Sequence, residues 1–340
     1  MHKKSNMHLI STTQRRPRRL DPRRGRSVLN LLAIAATITG AVVAAQGPSE
    51  TRLFRVRTDL VTVGVTVAGK QREFVTDLTA NDFAVYEDGR PQQIFAFASG
   101  TEPGPPLHIG VLLDVSGSQG LDIEFTRNAV IKFLKALPDP EDVTFIDFAS
   151  NVRGGRYSRG NFSSLFKRVR DLTAGGETAL YDAIGLYLEG AREQDGRKVM
   201  VLFTDGDDTR SSLSLGMLMR MLKSSNVTVY AIGALDNQPP TTQMTLRSLL
   251  SDIAEATGGA AFFPGNIKHL TKIYDQVLGE VQAQYTIGYV STNETTDGAW
   301  RKVDIKITRP DSKGLHVRAR KGYYGPSTRE ALGDTTRAAP

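Results

Sequence analysis

Three short segments of the sequence carry oxygen-bearing side chains at spacings suited to metal binding. The first reads Asp114-Val115-Ser116-Gly117-Ser118, the second places Thr178 in a Gly-Gly-Glu-Thr loop, and the third is Thr204-Asp205-Gly206. Carboxylate and hydroxyl oxygens are ligands for hard cations, so the pattern predicts a site for Mg²⁺, or for Mn²⁺ or Ca²⁺. The candidate metal ligands are Asp114, Ser116, Ser118, Thr178 and Asp205.

The charge of this donor set predicts how the metal would act. Three of the five groups are neutral hydroxyls, so a bound cation would keep much of its positive charge. It could then attract an acidic group into an open coordination position. The predicted partner is therefore a protein or an acidic polymer that offers a carboxylate.

The elements around these segments follow an alternating pattern. Short apolar runs at 109–113, 143–148, 199–203 and 227–232 predict strands buried on both faces. Between them, apolar residues recur at helical spacing. The pattern predicts an α/β fold over residues 105–282, with a doubly wound, mostly parallel sheet. Ligand sites in such sheets lie at the carboxyl ends of the strands, where all three segments fall.

The flanks of this region read as β structure. Residues 53–100 form an N-terminal β module, in which apolar residues at 83–85 and 94–97 flank the turn signal Asp88-Gly89. Residues 283–325 form a C-terminal β segment with alternating apolar and charged positions, and 326–340 read as a disordered tail. Neither flank has enough strands to bury a core alone, so we expect them to pair into one small β-sandwich.

The N-terminus reads as a targeting segment. Residues 1–45 combine an arginine-rich start with an apolar run at 28–43 and small residues before Gln46, which indicates a signal peptide or, if uncleaved, a membrane anchor. This leader holds nine of the 43 Lys and Arg and one of the 36 Asp and Glu, which leaves 34 basic and 35 acidic residues elsewhere. The nearly neutral remainder argues against nucleic-acid binding. We expect an exported protein of the periplasm, the cell envelope or the medium.

The sequence contains no cysteine. Disulfides, thiolate metal sites and cysteine nucleophiles are therefore excluded, and an exported form must rely on core packing.

The three segments together resemble a known metal site. Asp-x-Ser-x-Ser, a later Gly-Gly-x-Thr and a final Thr-Asp-Gly are similar to the metal-ion-dependent adhesion site of the von Willebrand factor type A family. All five positions match, and the resemblance covers the whole predicted α/β region. It implies that Ser116, Ser118 and Thr178 bind metal directly or through water. Asp114 and Asp205 would act mainly through water.

The flanking sequence resembles that of a group of bacterial proteins related to this family and typical of Acidobacteria. The pattern Leu-Thr-x-x-Asp-Phe-x-Val-x-Glu-Asp-Gly spans residues 78–89, and Gly322-Tyr323-Tyr324 stands near the end. One departure lies beside the site, where Asp207 and Asp208 add negative charge. They are either solvated loop residues or a bias toward Ca²⁺ or a basic partner.

Two other classes of function compete with metal-dependent binding. A Mg²⁺-dependent hydrolase or phosphatase would need a second aspartate where Ser116 stands, or a Gly-x-Ser-x-Gly elbow, and the sequence has neither there. His108 precedes the first strand and is expected to be structural, so we do not expect an enzyme. A structural envelope protein whose metal only stabilises loops stays open as the alternative.

Overall fold

The computed structural model describes residues 60–71, 73–100, 104–118 and 123–327. The predicted leader (1–45) and the predicted tail (326–340) from residue 328 onward lie outside these ranges. Within the described part of the chain, no helix is long and apolar enough to cross a membrane.

The described chain begins with β structure. Its first strands are β1 (Leu60–Ala68), β2 (Phe83–Glu87), β3 (Arg90–Gln92) and β4 (Ile94–Ala98). The predicted turn is confirmed, since β2 and β3 form a hairpin around Asp88 and Gly89, whose φ angles are 48° and 79°. Two successive positive φ values match the twist that a two-residue hairpin needs. The second strand of the hairpin is β3, however, whereas β4 pairs elsewhere.

The middle of the chain alternates strands and helices. The strands are β5 (Leu107–Asp114), β6 (Asp142–Phe148), β7 (Val152–Ser158), β8 (Arg197–Thr204), β9 (Val227–Gly233) and β10 (Ala260–Phe262). The helices are α1 (Ile123–Ala136), α2 (Phe162–Arg170), α3 (Leu180–Ala191), α4 (Leu215–Ser224), α5 (Pro240–Ala256) and α6 (Leu270–Ala283). Short 3₁₀ turns lie at Ala80–Asp82, Arg159–Asn161 and Ile267–His269.

These strands form one six-stranded sheet in the order β10-β9-β8-β5-β6-β7. All neighbours are parallel except the edge strand β7, which runs antiparallel to β6. Helices α1, α2 and α6 cover one face, and α3, α4 and α5 cover the other. Every residue of β5 and β9 is buried, as expected for strands between two helical layers. The predicted doubly wound α/β fold is confirmed.

The remaining strands return to the N-terminal ones. They are β11 (Tyr285–Val290), β12 (Trp300–Ile307), β13 (His316–Ala319) and β14 (Gly322–Tyr324). Two antiparallel four-stranded sheets result, ordered β13-β1-β11-β4 and β14-β12-β2-β3. Each sheet mixes strands from both ends of the chain, and their apolar faces share one core. The expected pairing of the two flanks is therefore confirmed.

The connection between the α/β region and the β-sandwich is short. Helix α6 ends at Ala283 and β11 begins at Tyr285, so one residue, the buried Gln284, separates them. Strand β1 turns Val63, Val65 and Val67 into the sandwich core. The other face of β1 is partly covered as well, because Thr66 is also buried.

Candidate metal centre

The loop after β5 is organised by Asp114. This carboxylate is completely buried, and its Oδ1 accepts a hydrogen bond from the main-chain N–H of Ser116 at 2.9 Å. Its Oδ2 accepts one from the hydroxyl of Thr204, at the end of β8, at 2.6 Å. The carboxylate thus fixes the bend of its own loop and ties the loop to the neighbouring strand.

Burial makes this carboxylate costly to ionise. It raises the pKa of Asp114 to about 6, although the hydrogen bonds from Ser116 and Thr204 pull the pKa down and Asp205 adds a smaller upward push. A cation next to Asp114 would favour its charged form. The protein therefore holds a partly desolvated carboxylate where the predicted metal site lies.

The two serines connect this loop with the end of β8. The hydroxyl oxygens of Ser116 and Ser118 lie 3.1 Å apart, and the hydroxyl of Ser118 donates to Oδ1 of Asp205 at 2.7 Å. Asp205 is itself buried and receives a hydrogen bond on its carbonyl from the Gln238 side chain at 2.7 Å. Three candidate ligand oxygens from two separate loops are consequently in contact.

Thr178 comes from the third loop, which docks by its backbone. The N–H of Gly117 donates to the carbonyl of Gly176 at 2.9 Å, and the N–H of Gly175 donates to the carbonyl of Val115 at 2.8 Å. Gly176 has φ +89°, and a Cβ there would lie 2.6 Å from the hydroxyl of Ser150, so this position requires glycine.

The side chain of Thr178 faces the end of β8. Its hydroxyl lies 3.7 Å from where a Cβ of Gly206 would stand, and the residue is buried. The main chain is fixed too, because the N–H of Thr178 donates to the Thr209 hydroxyl at 3.0 Å and its carbonyl accepts from the N–H of Thr209 at 2.9 Å. All five predicted residues therefore meet at one edge of the sheet.

The donor set fits a hard cation better than a soft one. No group of three or more His, Cys, Asp or Glu side chains suited to a metal occurs among the described residues, and this site has only two carboxylates. Hydroxyl oxygens would have to complete the coordination, with water in the remaining positions, which is the arrangement Mg²⁺ tolerates. Ser118 is exposed whereas Asp114 and Ser116 are buried, so the site opens to solvent on the Ser118 side.

The structure also shows a residue whose role the sequence reasoning missed. Thr204 stands in the Thr204-Asp205-Gly206 motif, which predicts no role for it, yet its buried hydroxyl holds Asp114. The available signal was its position as the last residue of a strand that ends beside a carboxylate-bearing loop. We regard Thr204 as a positioning residue.

The additional acidic residues have separate partners. Asp208 accepts hydrogen bonds from the N–H of Tyr181 at 3.2 Å and from the Ser211 hydroxyl at 2.5 Å, so it caps the start of α3. Asp207 is exposed and accepts from the N–H of Asp208 at 2.8 Å. Asp208 is therefore a structural cap, which neither of the two sequence interpretations foresaw.

His108 lies at the opposite end of β5 in a structural network. Its Nδ1 is 3.1 Å from Oδ2 of Asp142 and 3.0 Å from Nε2 of Gln194, and its Nε2 is 2.9 Å from the carbonyl of Asp195. The ring thus joins β5, β6 and the loop before β8, as expected for a structural histidine.

Comparison with known proteins agrees with the fold. The family model of the von Willebrand factor type A domain matches residues 108–276. A search of curated proteins gave no match. Similar solved structures include a von Willebrand factor type A protein from Catenulispora acidiphila, with 14% identity and a TM-score of 0.45 over 74% of this chain and 76% of that chain.

Two pilus proteins are also similar in structure. The PilB minor pilin from Streptococcus sanguinis has 13% identity and a TM-score of 0.44 over 54% of this chain and 62% of its own. The pilus adhesin SpaC from Lactobacillus rhamnosus GG, in an open conformation, has 12% identity and a TM-score of 0.46 over 74% of this chain and 49% of its own. This chain thus spans less than two thirds of either pilus protein.

Proposed function

Residues 108–276 are a von Willebrand factor type A domain, and from that premise we propose that the protein is an exported, metal-dependent binding module. The domain holds a divalent cation, Mg²⁺ in the first instance, through Asp114, Ser116, Ser118, Thr178 and Asp205. The cation takes an acidic group of a protein or polymer partner into its coordination sphere.

One observation carries the proposal. The hydroxyl of Ser118 lies 2.7 Å from Oδ1 of Asp205 and 3.1 Å from the hydroxyl of Ser116, although the two loops are 87 residues apart in sequence. This contact supports the proposal, because the fold brings to one point oxygen atoms of the kind that bind hard cations. Because the site opens on the Ser118 side, a partner's carboxylate can approach it from solvent.

The balance of charges supports recognition rather than mere storage of the ion. The two carboxylates can at most neutralise a divalent cation, and the buried position of Asp114 works against its ionisation. Because the other ligands are neutral hydroxyls, the metal would keep a positive charge that attracts a further anionic ligand. What the cation supplies is an electrostatic bridge, while the protein residues fix its place and leave one side open.

The proposal that the protein is exported is based on the leader, residues 1–45. Its arginine-rich start, its apolar run and the small residues before Gln46 are typical of a signal peptide. The absence of cysteine from the whole sequence is compatible with an exported protein that gains its stability from packing.

The test begins with the metal. Thermal unfolding of the purified protein is measured with Mg²⁺ and with EDTA, for the unaltered chain, for Thr178→Ala and for the matched control Thr173→Ala, which changes an exposed threonine five residues away. A specific site should add about 2.7 kcal/mol of stability at a hundredfold excess of Mg²⁺ over Kd. This gain should be lost in Thr178→Ala and kept in Thr173→Ala.

The second step tests binding. The immobilised protein is exposed to envelope extract in Mg²⁺ or EDTA, and the captured material is compared between the same variants. Capture that requires Mg²⁺ and disappears in Thr178→Ala supports the binding function. A Mg²⁺-dependent gain in stability with metal-independent capture would favour the structural-metal alternative. No effect of Mg²⁺ on either readout would refute the metal site.

A further inference from the structure

A second site candidate lies at the junction between the α/β domain and the β-sandwich. A cavity of about 720 Å³ opens there, between the start of β1, the middle of β11, the end of α3 and the segment after α4. Small-molecule sites have volumes of roughly 300–1,000 Å³ and favour such domain junctions. Lys198, the second residue of β8, lines the cavity, whereas Thr204 at the metal centre ends the same strand. At about 3.3 Å per residue, the two sites are ~20 Å apart.

The unusual group in this cavity is the side chain of Lys198. Lys198 is only 6% exposed, and its ammonium, which forms no hydrogen bond or ion pair with a described residue, is not sealed from water but opens into the cavity. Its burial lowers its pKa, and the nearby charge of Asp195 opposes that shift only in part. A largely enclosed ammonium without an ion pair is stabilised when an anion comes within reach.

The surroundings of Lys198 add positive charge. Arg320 also lines the cavity and is buried, and its guanidinium donates to three main-chain carbonyls, those of Ser225, Lys223 and Gly322, at 2.7–2.8 Å. Carbonyl groups satisfy its hydrogen bonds but do not neutralise its charge. Arg192, which pairs with Glu189 at 3.4 Å, lines the same cavity, and Asp195 is the one carboxylate among the lining residues, so the net positive charge comes from Lys198 and Arg320. The cavity is therefore cationic overall.

The rest of the lining is largely apolar. Leu60, Val61, Leu188, Val227 and the ring of Tyr323 contribute walls next to the two buried cations. A small inorganic ion would leave these walls in contact with water. An anion with an apolar body would satisfy both parts of the cavity.

We propose that this cavity binds a small organic anion, with its carboxylate, sulfonate or phosphate on Lys198 and its apolar body against the sandwich side of the junction. This site is separate from the metal centre and does not depend on the function proposed for it. The anion supplies a direct ion-pair partner for Lys198, on which the charge of Asp195 acts without forming an ion pair.

The probe is anilinonaphthalene sulfonate, whose fluorescence rises on binding. Phenylnaphthylamine, which has the same rings without the sulfonate, serves as the neutral counterpart. The purified full chain is compared with Lys198→Met, which keeps the length of the side chain, and with Lys132→Met, which changes an exposed lysine on α1. Ala96→Trp fills the cavity from the edge strand β4 without altering a charge.

The proposal predicts a selective pattern. Lys198→Met should weaken binding of the sulfonate at least about tenfold and change binding of the neutral probe less than about twofold. Lys132→Met should change neither, and Ala96→Trp should abolish both. Without probe, Lys198→Met should unfold at an equal or higher urea concentration, because a largely enclosed ammonium that forms no ion pair has been removed.

Three results would overturn the proposal. The first is a sulfonate affinity that is equal in Lys198→Met and the unaltered chain. The second is undiminished binding of both probes to Ala96→Trp, which would place them outside the cavity. The third is a clear loss of stability in Lys198→Met without probe, which would mean that the ammonium has a stabilising partner within the protein.

Discussion

The hydroxyl of Thr204 can be removed with little change of shape, by Thr204→Val. The residue is completely buried and donates a 2.6 Å hydrogen bond to Asp114, which is buried as well. Valine would fill the same space but leave Oδ2 of Asp114 without that donor. Hydrogen bonds to charged groups contribute about 1.5–3 kcal/mol, so we expect Thr204→Val to lower the free energy of unfolding by about 2 kcal/mol.

The assay is urea unfolding at about pH 8 in EDTA, where metal cannot compensate and the Asp114 carboxylate, with a pKa of about 6, is ionised. With a slope of about 3 kcal/mol per molar urea, the midpoint should fall by ~0.7 M. Thr204→Ser is the matched control, since it keeps the hydroxyl and loses one buried methyl group, at a cost of about 1 kcal/mol. If Thr204→Val were as stable as Thr204→Ser, the hydrogen bond to Asp114 would not be what holds this loop.

Three further changes test other parts of the fold. Gly89→Ala should cost about 1 kcal/mol in urea unfolding, because the added Cβ meets no atom within 4 Å but must adopt a φ of +79°. Tyr285→Phe should cost about 1–3 kcal/mol, since the hydroxyl bonds an N–H and a carbonyl of the 75–78 segment. Burial raises the pKa of Glu280 from 4.5 more than its pairing with Arg318 lowers it. The folded protein therefore binds a proton at Glu280 more tightly than the unfolded chain does. The stability that this proton confers is complete below the unfolded pKa, and it is lost as the pH rises through the folded pKa. Glu280→Gln should accordingly gain stability, relative to the unaltered chain, as the pH rises above about 4.5.

Each of these changes has a control within the chain. Gly160→Ala adds a Cβ that also meets nothing within 4 Å, at a residue without positive φ, and should be neutral. Tyr86→Phe removes a hydroxyl that makes no hydrogen bond with the described residues. Glu255→Gln neutralises a carboxylate that is largely exposed and should show little pH-dependent gain. Equal effects in a variant and its control would mean that the local geometry is not the cause.

The sequence by itself determined the elements whose signal is local. Apolar runs predicted β5, β6, β8 and β9, because a strand between two helical layers must be apolar on both faces. The metal-site motif was equally readable, since Asp114, Ser116 and Ser118 lie within five residues of one loop. Thr178 and Asp205 could be added because parallel strands place their carboxyl ends at one edge of the sheet.

The tertiary structure decided what depends on distant partners. Strand β7 contains Gly154 and Gly155 between arginines and has no apolar periodicity, so only its pairing with β6 makes it a strand. Strand β4 follows the hairpin closely in sequence, but it pairs with β11, almost two hundred residues later.

The roles of Lys198 and Thr204 also depend on distant partners. Nothing local distinguishes Lys198 from the lysines on the surface, and Thr204 is one of many threonines at strand ends. Their roles arise because packing encloses both side chains, so that Thr204 meets the carboxylate of Asp114 whereas Lys198 lines a cavity without an ion pair. Burial and pairing are properties of the folded chain. Short-range sequence patterns report which residues can form an element, whereas the loss of water around a polar group depends on every element that closes over it.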